Sequence, residues 1–253
     1  MSTLDVADII WIAFVLFFGS LSQGAVGFGV GLICIPLLVL GGISLPSAIA
    51  IMLITMFFAN GASCWFYRKH IDWKVITPVL SLHLLALPIG IVTLYFLTEF
   101  NPDIAKAIVG VVVLGTVGSQ LLLKVKRRDH LHPMWGAAAG LSSGYIEGLV
   151  GMGSPPLILY VMAHNWNVHR LRTFIWVIFL IDILPMFLML WYTFGHEVVY
   201  ATMIGILFFP ITFIGARIGN ILGHALGTER LRVVAYVILI ILGVVSVCLP
   251  FLD

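Results

Sequence analysis

Gln23-Gly24-Ala25-Val26-Gly27-Phe28-Gly29 interrupts an apolar segment, and the pattern returns 124 positions later as Glu147-Gly148-Leu149-Val150-Gly151-Met152-Gly153. Three glycines recur at matching places in the two copies. A polar residue leads each copy, an amide in the first and a carboxylic acid in the second. The duplication indicates two related halves, each with a hydrophobic segment that is broken by glycine.

The composition places these segments in a lipid bilayer. The chain of 253 residues is 61% hydrophobic and 9% charged, with a mean hydropathy of +1.14. Near-continuous apolar runs of about 20 residues match the thickness of the hydrocarbon core at helical rise. Strands of a membrane barrel would instead alternate apolar and polar residues over about 10 positions. The sequence therefore predicts an all-α integral membrane protein and excludes a soluble globule.

Eight hydrophobic segments are recognisable. Six have the length of one full membrane span: 46–67, 75–97, 104–123, 174–194, 198–222 and 231–249. The other two, 8–40 and 133–162, contain the glycine breaks and are too long for one upright helix, since 30 helical residues reach about 45 Å. Each is either a re-entrant hairpin, which enters and leaves on one side, or a tilted discontinuous span.

The distribution of basic residues favours the hairpins. Lys and Arg cluster at 68–74, 124–128, 170–172 and 230–232. If segment 133–162 is a hairpin, all four clusters lie on the cytoplasmic side, as the positive-inside rule requires. If it is a span, the last two clusters fall outside. In the hairpin arrangement, the connections near Glu99 and Glu197 lie on the opposite, periplasmic side.

Each half then consists of one hairpin and three transmembrane helices, and this odd number of spans inverts the second half relative to the first. The boundaries are 1–123 for the first repeat, 124–132 for a basic cytoplasmic loop and 133–253 for the second repeat. Both termini are expected on the periplasmic side.

Two rows of glycine recur at intervals of four residues. They comprise Gly136, Gly140, Gly144 and Gly148, and Gly215, Gly219, Gly223 and Gly227. Small residues at this spacing let helix backbones approach closely in lipid. We expect packing within the chain; the alternative is a homodimer interface.

The glycine breaks are the predicted binding site. Broken helices survive in a bilayer only where they are buried or line a cavity, and the start of a half-helix presents unpaired N–H groups and a positive dipole end to an anion. Glycine also lets a ligand approach the backbone. The predicted substrate-binding residues are Ser22, Gln23, Gly27, Phe28, Gly29, Ser143, Gly151, Met152, Gly153 and Ser154.

Few charged residues lie inside the apolar segments. Glu147 and Asp182 are the two acids there, and a membrane carboxylate is a functional candidate by default. Glu147 either couples transport to protons or caps a half-helix, and Asp182 either acts as a functional acid or satisfies backbone groups freed near Pro185. Arg172 is either an anion gate or a topology signal. Asn60 and His83 are expected to form interhelical hydrogen bonds.

The same residues resemble the sulfite exporter TauE/SafE family of bacterial membrane transporters. In the first half the resemblance is carried by the motif 23–29 and Pro36; in the second it is carried by Ser143-Gly144, Gly148, Gly151, Gly153, Pro155-Pro156, Tyr160 and Arg172-Thr173. Ser154 departs from the pattern, because related sequences often have glycine there. The resemblance implies secondary export of sulfite or small organosulfonates across a bacterial inner membrane.

The resulting hypothesis is a secondary transporter for a small anion, working by alternating access. It predicts no cofactor, no metal and no nucleic-acid partner, and no Walker, Rossmann or nucleophile-elbow motif is present. A passive anion channel is the nearest alternative. A membrane-embedded enzyme and an accessory subunit are the others.

Overall fold

A computed structural model describes residues 5–26, 30–122, 127–129, 131–226 and 228–249, which form ten α-helices and no strand. The helices are α1 (Val6–Val26), α2 (Val30–Leu40), α3 (Leu45–Phe66), α4 (Trp73–Phe100), α5 (Pro102–Leu122), α6 (Pro133–Val150), α7 (Ser154–Met162), α8 (Val168–Phe194), α9 (His196–Leu226) and α10 (Thr228–Cys248). A 3-10 turn, Arg68–His70, connects α3 to α4.

The membrane class is confirmed. Among the described residues, six helices are long and apolar enough to cross a membrane: α1, α3, α4, α5, α8 and α9. Each of the six predicted full spans corresponds to one helix, from α3 to α5 and from α8 to α10, with ends that differ by a few residues. Five of these helices are among the six above; α10 contributes only a shorter apolar helix, Val233–Cys248, and the sixth, α1, belongs to a segment that was predicted to be broken. Prolines inside α4, α8 and α9 fall within these helices and do not end them.

Both broken segments fold as antiparallel pairs of helices. In hairpin 1 (α1 and α2), the indole N–H of Trp11 donates to the carbonyl of Leu37 at 3.1 Å, and Sγ of Cys34 lies 3.4 Å from the carbonyl oxygen of Val15. In hairpin 2 (α6 and α7), the hydroxyl of Ser143 donates to the carbonyl of Gly153 at 2.7 Å. Residues 27–29, which separate α1 from α2 in the chain, lie outside the described residues.

Contacts between the long helices define two ends of the molecule. At the basic end, Asp72 before α4 pairs with Arg170 of α8 at 2.6 Å. At the acidic end, Glu197 of α9 accepts hydrogen bonds from the hydroxyls of Ser44 and Ser47 at the start of α3. Hairpin 1 begins at the acidic end and hairpin 2 at the basic end.

Tryptophan and tyrosine are concentrated near these two ends, as expected of residues at membrane–water interfaces. The basic end carries Trp65, Tyr67, Trp73, Trp135 and Trp166, and the acidic end carries Trp11, Tyr95, Trp191, Tyr192 and Tyr200. Many of the large apolar side chains between the two ends are exposed on the surface of the bundle. That surface suits contact with lipid chains.

Both glycine rows pack within the chain. Gly140 of α6 lies against the backbone of Val79 in α4, where an added Cβ would meet the carbonyl oxygen at 2.6 Å, and Gly144 and Gly148 continue the contact along the same helix. Gly215, Gly219 and Gly223 of α9 contact the backbone of α1 in the same way. Packing within the chain therefore accounts for these described glycines; Gly227 lies outside the described residues.

Candidate functional site

The start of α2 approaches the tip of hairpin 2 (residues 151–153) in the middle of the bundle. An added Cβ at Gly31, in the first turn of α2, would lie 3.7 Å from the carbonyl oxygen of Gly151 and 4.0 Å from the side chain of Met152. Gly151 closes α6 in the left-handed conformation (φ 69°), which glycine adopts without strain, and its N–H donates to the carbonyl of Glu147 at 2.7 Å. Glycine is therefore required at position 151, at the tip of hairpin 2.

A cavity of about 410 Å³ lies beside the tips. It extends from Gly31 and Gly151 along α7 and α8 to Met162 and Arg172, near the basic end. Its apolar wall includes Ile49, Met52, Leu53, Met56, Ile158, Ile175, Trp176 and Phe179. Its polar groups are Gln23, Asn60, Gln120, Glu147, Ser154, Arg172, Asp182 and Tyr236. Apolar walls with a few convergent polar groups are typical of small-molecule sites.

Glu147 binds the backbone at the tip of hairpin 2. Its Oε2 accepts a hydrogen bond from the N–H of Gly153 at 2.5 Å, immediately before α7 begins. A negative charge at this point interacts favourably with the positive end of the α7 dipole. One of the N–H groups that the sequence analysis assigned to an anion is thus occupied by a side chain of the protein. Pro155 and Pro156 follow, and neither has an N–H to offer.

A buried polar network lies next to this tip. His83 of α4 is fully buried, and its Nδ1 is 3.1 Å from the hydroxyl oxygen of Ser143. Its Nε2 is 2.8 Å from Oδ2 of Asp182, which is 1% exposed. Oδ1 of Asp182 is buried without a hydrogen-bond partner. His83 therefore forms the interhelical hydrogen bonds expected from the sequence, and it joins Asp182 to the hairpin.

The amide of Gln120 is a cavity residue that sequence reasoning missed. Its Oε1 accepts a hydrogen bond from the hydroxyl of Tyr236 at 2.9 Å, which fixes the orientation of the amide. Its Nε2 is buried and has no hydrogen-bond partner. Buried donors in native structures are nearly always paired. A ligand that accepts hydrogen bonds would satisfy this one.

The structure brings most of the predicted site residues together. The cavity is lined by Gln23, Gly151, Met152, Gly153, Ser154, Glu147, Asp182 and Arg172. Ser143 is buried behind the tip in the His83 network. Ser22 lies on α1 and is not among the residues that line the cavity. Gly27, Phe28 and Gly29 lie outside the described residues. No group of three or more potential metal-ligating side chains occurs in the part of the chain that the structure describes.

The comparisons with known proteins agree with the resemblance in the motifs. A family model described as Sulfite exporter TauE/SafE matches residues 12–246. Neither the curated proteins nor the solved structures contain a match to the chain. The matched region includes both hairpins, the cavity and most of α10. The chain thus belongs to the sulfite exporter TauE/SafE family of membrane transporters.

Proposed function

We propose that this protein is a secondary transporter that exports a small anion, sulfite or a small organosulfonate, through the cavity between the hairpin tips. The observation that carries the proposal is the cavity itself, which places polar side chains, among them the unpaired amide N–H of Gln120, beside two broken helices. Such breaks mark the substrate sites of secondary transporters.

The donors of the cavity suit an anion. The amides of Gln23, Asn60 and Gln120 and the hydroxyl of Ser154 supply neutral donors, and Arg172 supplies positive charge near the basic end. Neutral donors hold an anion without neutralising it, which favours release on the other side. A water molecule, with one heavy atom, occupies about 30 Å³ in the liquid, so sulfite, with four heavy atoms, fills only part of the cavity of about 410 Å³. The cavity therefore suits a hydrated oxyanion or an organosulfonate.

An inverted repeat (residues 1–123 and 133–253, joined by the loop 124–132) supplies the alternating access. Gly24 of α1 contacts the carbonyl oxygen of Ala216 in α9, and Gly148 of α6 contacts the carbonyl oxygen of Leu87 in α4. The two glycines are 124 positions apart in the sequence, and the two residues that they contact are 129 positions apart. The two equivalent contacts support a twofold relation between the halves.

The directions of the helices support inversion of the second half. Gly110 of α5 faces Gly243 of α10, whereas Gln120 of α5 bonds to Tyr236, so α5 and α10 run antiparallel. They are equivalent helices in the proposed repeat. Rocking of one half against the other would close the cavity at the basic end and open it at the acidic end.

The charges at the two ends support a membrane orientation for the proposed transporter. The basic end faces the cytoplasm, and the acidic end, with both termini, faces the periplasm of a bacterial inner membrane. The described conformation is then open toward the cytoplasm, which is the loading state of an exporter.

Uptake of radiolabelled sulfite into inside-out proteoliposomes tests the proposal, with sulfoacetate, sulfate and neutral dimethyl sulfone as competitors. We expect saturable uptake that unlabelled substrate inside the vesicles accelerates. A channel would give no such acceleration. Gln120→Glu keeps the acceptor for Tyr236 but removes the free donor and adds negative charge, so it should abolish uptake. Ser119→Ala, one residue away with its hydroxyl bonded to Thr116 in the same helix, is the matched control. Normal uptake by Gln120→Glu would refute the site.

A further inference from the structure

Three polar side chains from three helices form a continuous chain in the apolar interior. Asp182 of α8 contacts His83 of α4, His83 contacts Ser143 of α6, and Ser143 contacts the backbone at the tip of hairpin 2. The three side chains are at most 1% exposed. The donors and acceptors along this chain can therefore be assigned from the contacts between the three side chains and the backbone.

The count begins at the backbone. The carbonyl of Gly153 can only accept, so the single proton of the Ser143 hydroxyl points to it. The oxygen of Ser143 must then accept from His83, which places a proton on Nδ1 of the imidazole. A neutral ring protonated on Nδ1 has a lone pair on Nε2, and an ionised carboxylate has only acceptors. The contact of 2.8 Å between Nε2 and Oδ2 of Asp182 therefore holds a further proton.

We propose that the His83–Asp182 pair is a proton-binding site and that its occupancy sets the position of the hairpin 2 tip. This inference rests on the proposed function, for which it names the proton as the coupling ion. Glu147 then acts as the cap of α7, and the pair carries the transported proton.

Loss of the proton rearranges the chain of hydrogen bonds. The remaining ring proton moves to Nε2, where it faces the carboxylate of Asp182, and Nδ1 becomes an acceptor. The hydroxyl of Ser143 then turns to Nδ1, and the carbonyl of Gly153 loses its donor. A buried carbonyl without a donor raises the free energy of the folded chain, so the backbone around Gly153 moves away from Ser143 of α6. The tip borders the cavity, so deprotonation changes the geometry of the anion site.

The surroundings of the pair allow this exchange. Asp182 lines the cavity that extends to the basic end, which gives protons a route. The titratable groups that face His83 are Asp182 from α8 and Glu147 from α6. The described part of α5 also packs on α4, but Asp103 and Lys106 lie in its first turns, next to the end of α4 at Phe100.

Hydrogen exchange of the peptide 148–162 across a range of pH tests the inference, on the full chain in nanodiscs and without substrate. After correction for intrinsic rates, wild-type exchange should rise about tenfold from low to high pH, since a buried hydrogen bond contributes on the order of 1.4 kcal/mol. Asp182→Asn donates to Nε2 permanently, so its tip should stay protected at every pH. Ser143→Ala removes the link, so its tip should exchange rapidly at every pH. Ser142→Ala, whose hydroxyl bonds within α6, should behave as wild type.

The same experiment separates the pair from Glu147. Glu147→Gln retains an acceptor for the N–H of Gly153 and should keep the pH transition. If Glu147→Gln abolishes the transition, or if Asp182→Asn keeps it, the pair is not the proton site. Because the readout needs no anion, a negative sulfite assay with an intact transition refutes the substrate alone. Sulfite uptake with an unchanged transition in Asp182→Asn refutes the proton site alone.

Discussion

Alanine substitutions at Gly24 and Gly148 test the repeat and its packing together. An alanine Cβ at either position would lie closer than 3.0 Å to a carbonyl oxygen of the facing helix, that of Ala216 or that of Leu87. The opposing atoms belong to the backbone, so no side chain can rotate away. The facing helices must separate locally in both variants.

The magnitude follows from opposing contributions to the free energy of unfolding. Overpacking costs about 1–3 kcal/mol, and weakened Cα–H···O contacts add about 0.5–1 kcal/mol. Alanine recovers up to about 1 kcal/mol through its higher helix propensity. The net loss is about 2 kcal/mol for Gly24→Ala and for Gly148→Ala. Gly118→Ala is the control, because its Cβ would meet nothing within 4 Å and only the propensity gain remains.

Thermal unfolding of the purified protein in one detergent at a fixed heating rate measures the difference. By the scaling for domains of similar size, the two variants should lower Tm by roughly 4–8 °C, and Gly118→Ala should leave it unchanged or raise it slightly. The two losses should agree within a few degrees if the sites are equivalent. If either variant is as stable as Gly118→Ala, the close backbone contact is not formed there.

Three further predictions concern the two ends of the molecule and the buried thiol. Glu197→Gln should lower the stability by about 1–2 kcal/mol, because two hydroxyl donors lose a charged acceptor, and Glu99→Gln, on the exposed surface, should leave thermal unfolding unchanged. Asp72→Asn removes a half-exposed ion pair and should change stability by no more than about 1 kcal/mol, an effect that should vanish in high salt. A maleimide should label exposed Cys248 in the native protein but reach buried Cys34 only after unfolding; labelling of Cys34 in the folded state would contradict the packing of hairpin 1.

The sequence predicted those features that depend on local composition. Hydrophobic length predicted five of the six helices that are long and apolar enough to cross a membrane, since a bilayer imposes nearly the same length on every helix that crosses it. The row Gly140 to Gly148 predicted a close helix contact because only small residues allow one in lipid. The repeated motif predicted which residues lie at the break in the second half, and eight of the ten predicted site residues on the described part of the chain line one cavity, all except Ser22 and Ser143.

Contacts between residues that are far apart in the sequence could not be predicted. Gln120 lies in the last turn of α5, and nothing local distinguishes it from a polar residue at a membrane interface. Its role depends on Tyr236, which is 116 residues away. The His83–Asp182 contact spans 99 residues. Sequence reasoning could identify His83 and Asp182 as polar groups in apolar segments. It could not identify them as partners, because the partner of each side chain is set by how the helices pack.

The asymmetry of the proposed repeat has a consequence for coupling. A shift of 124 positions relates Ser143 to Gly19, and a shift of 129 relates His83 to Thr212. Gly19 has no side chain to donate and packs against Cys34, and the hydroxyl of Thr212 bonds within its own helix to the carbonyl of Phe209. The positions around hairpin 1 that correspond to Ser143 and His83 therefore do not form the hydrogen-bonded chain seen beside hairpin 2, although the glycine contacts match. The proposed repeat thus duplicates the glycine contacts but not the proposed proton site, so we expect each transport cycle to move one proton per chain and hairpin 2 alone to respond to pH.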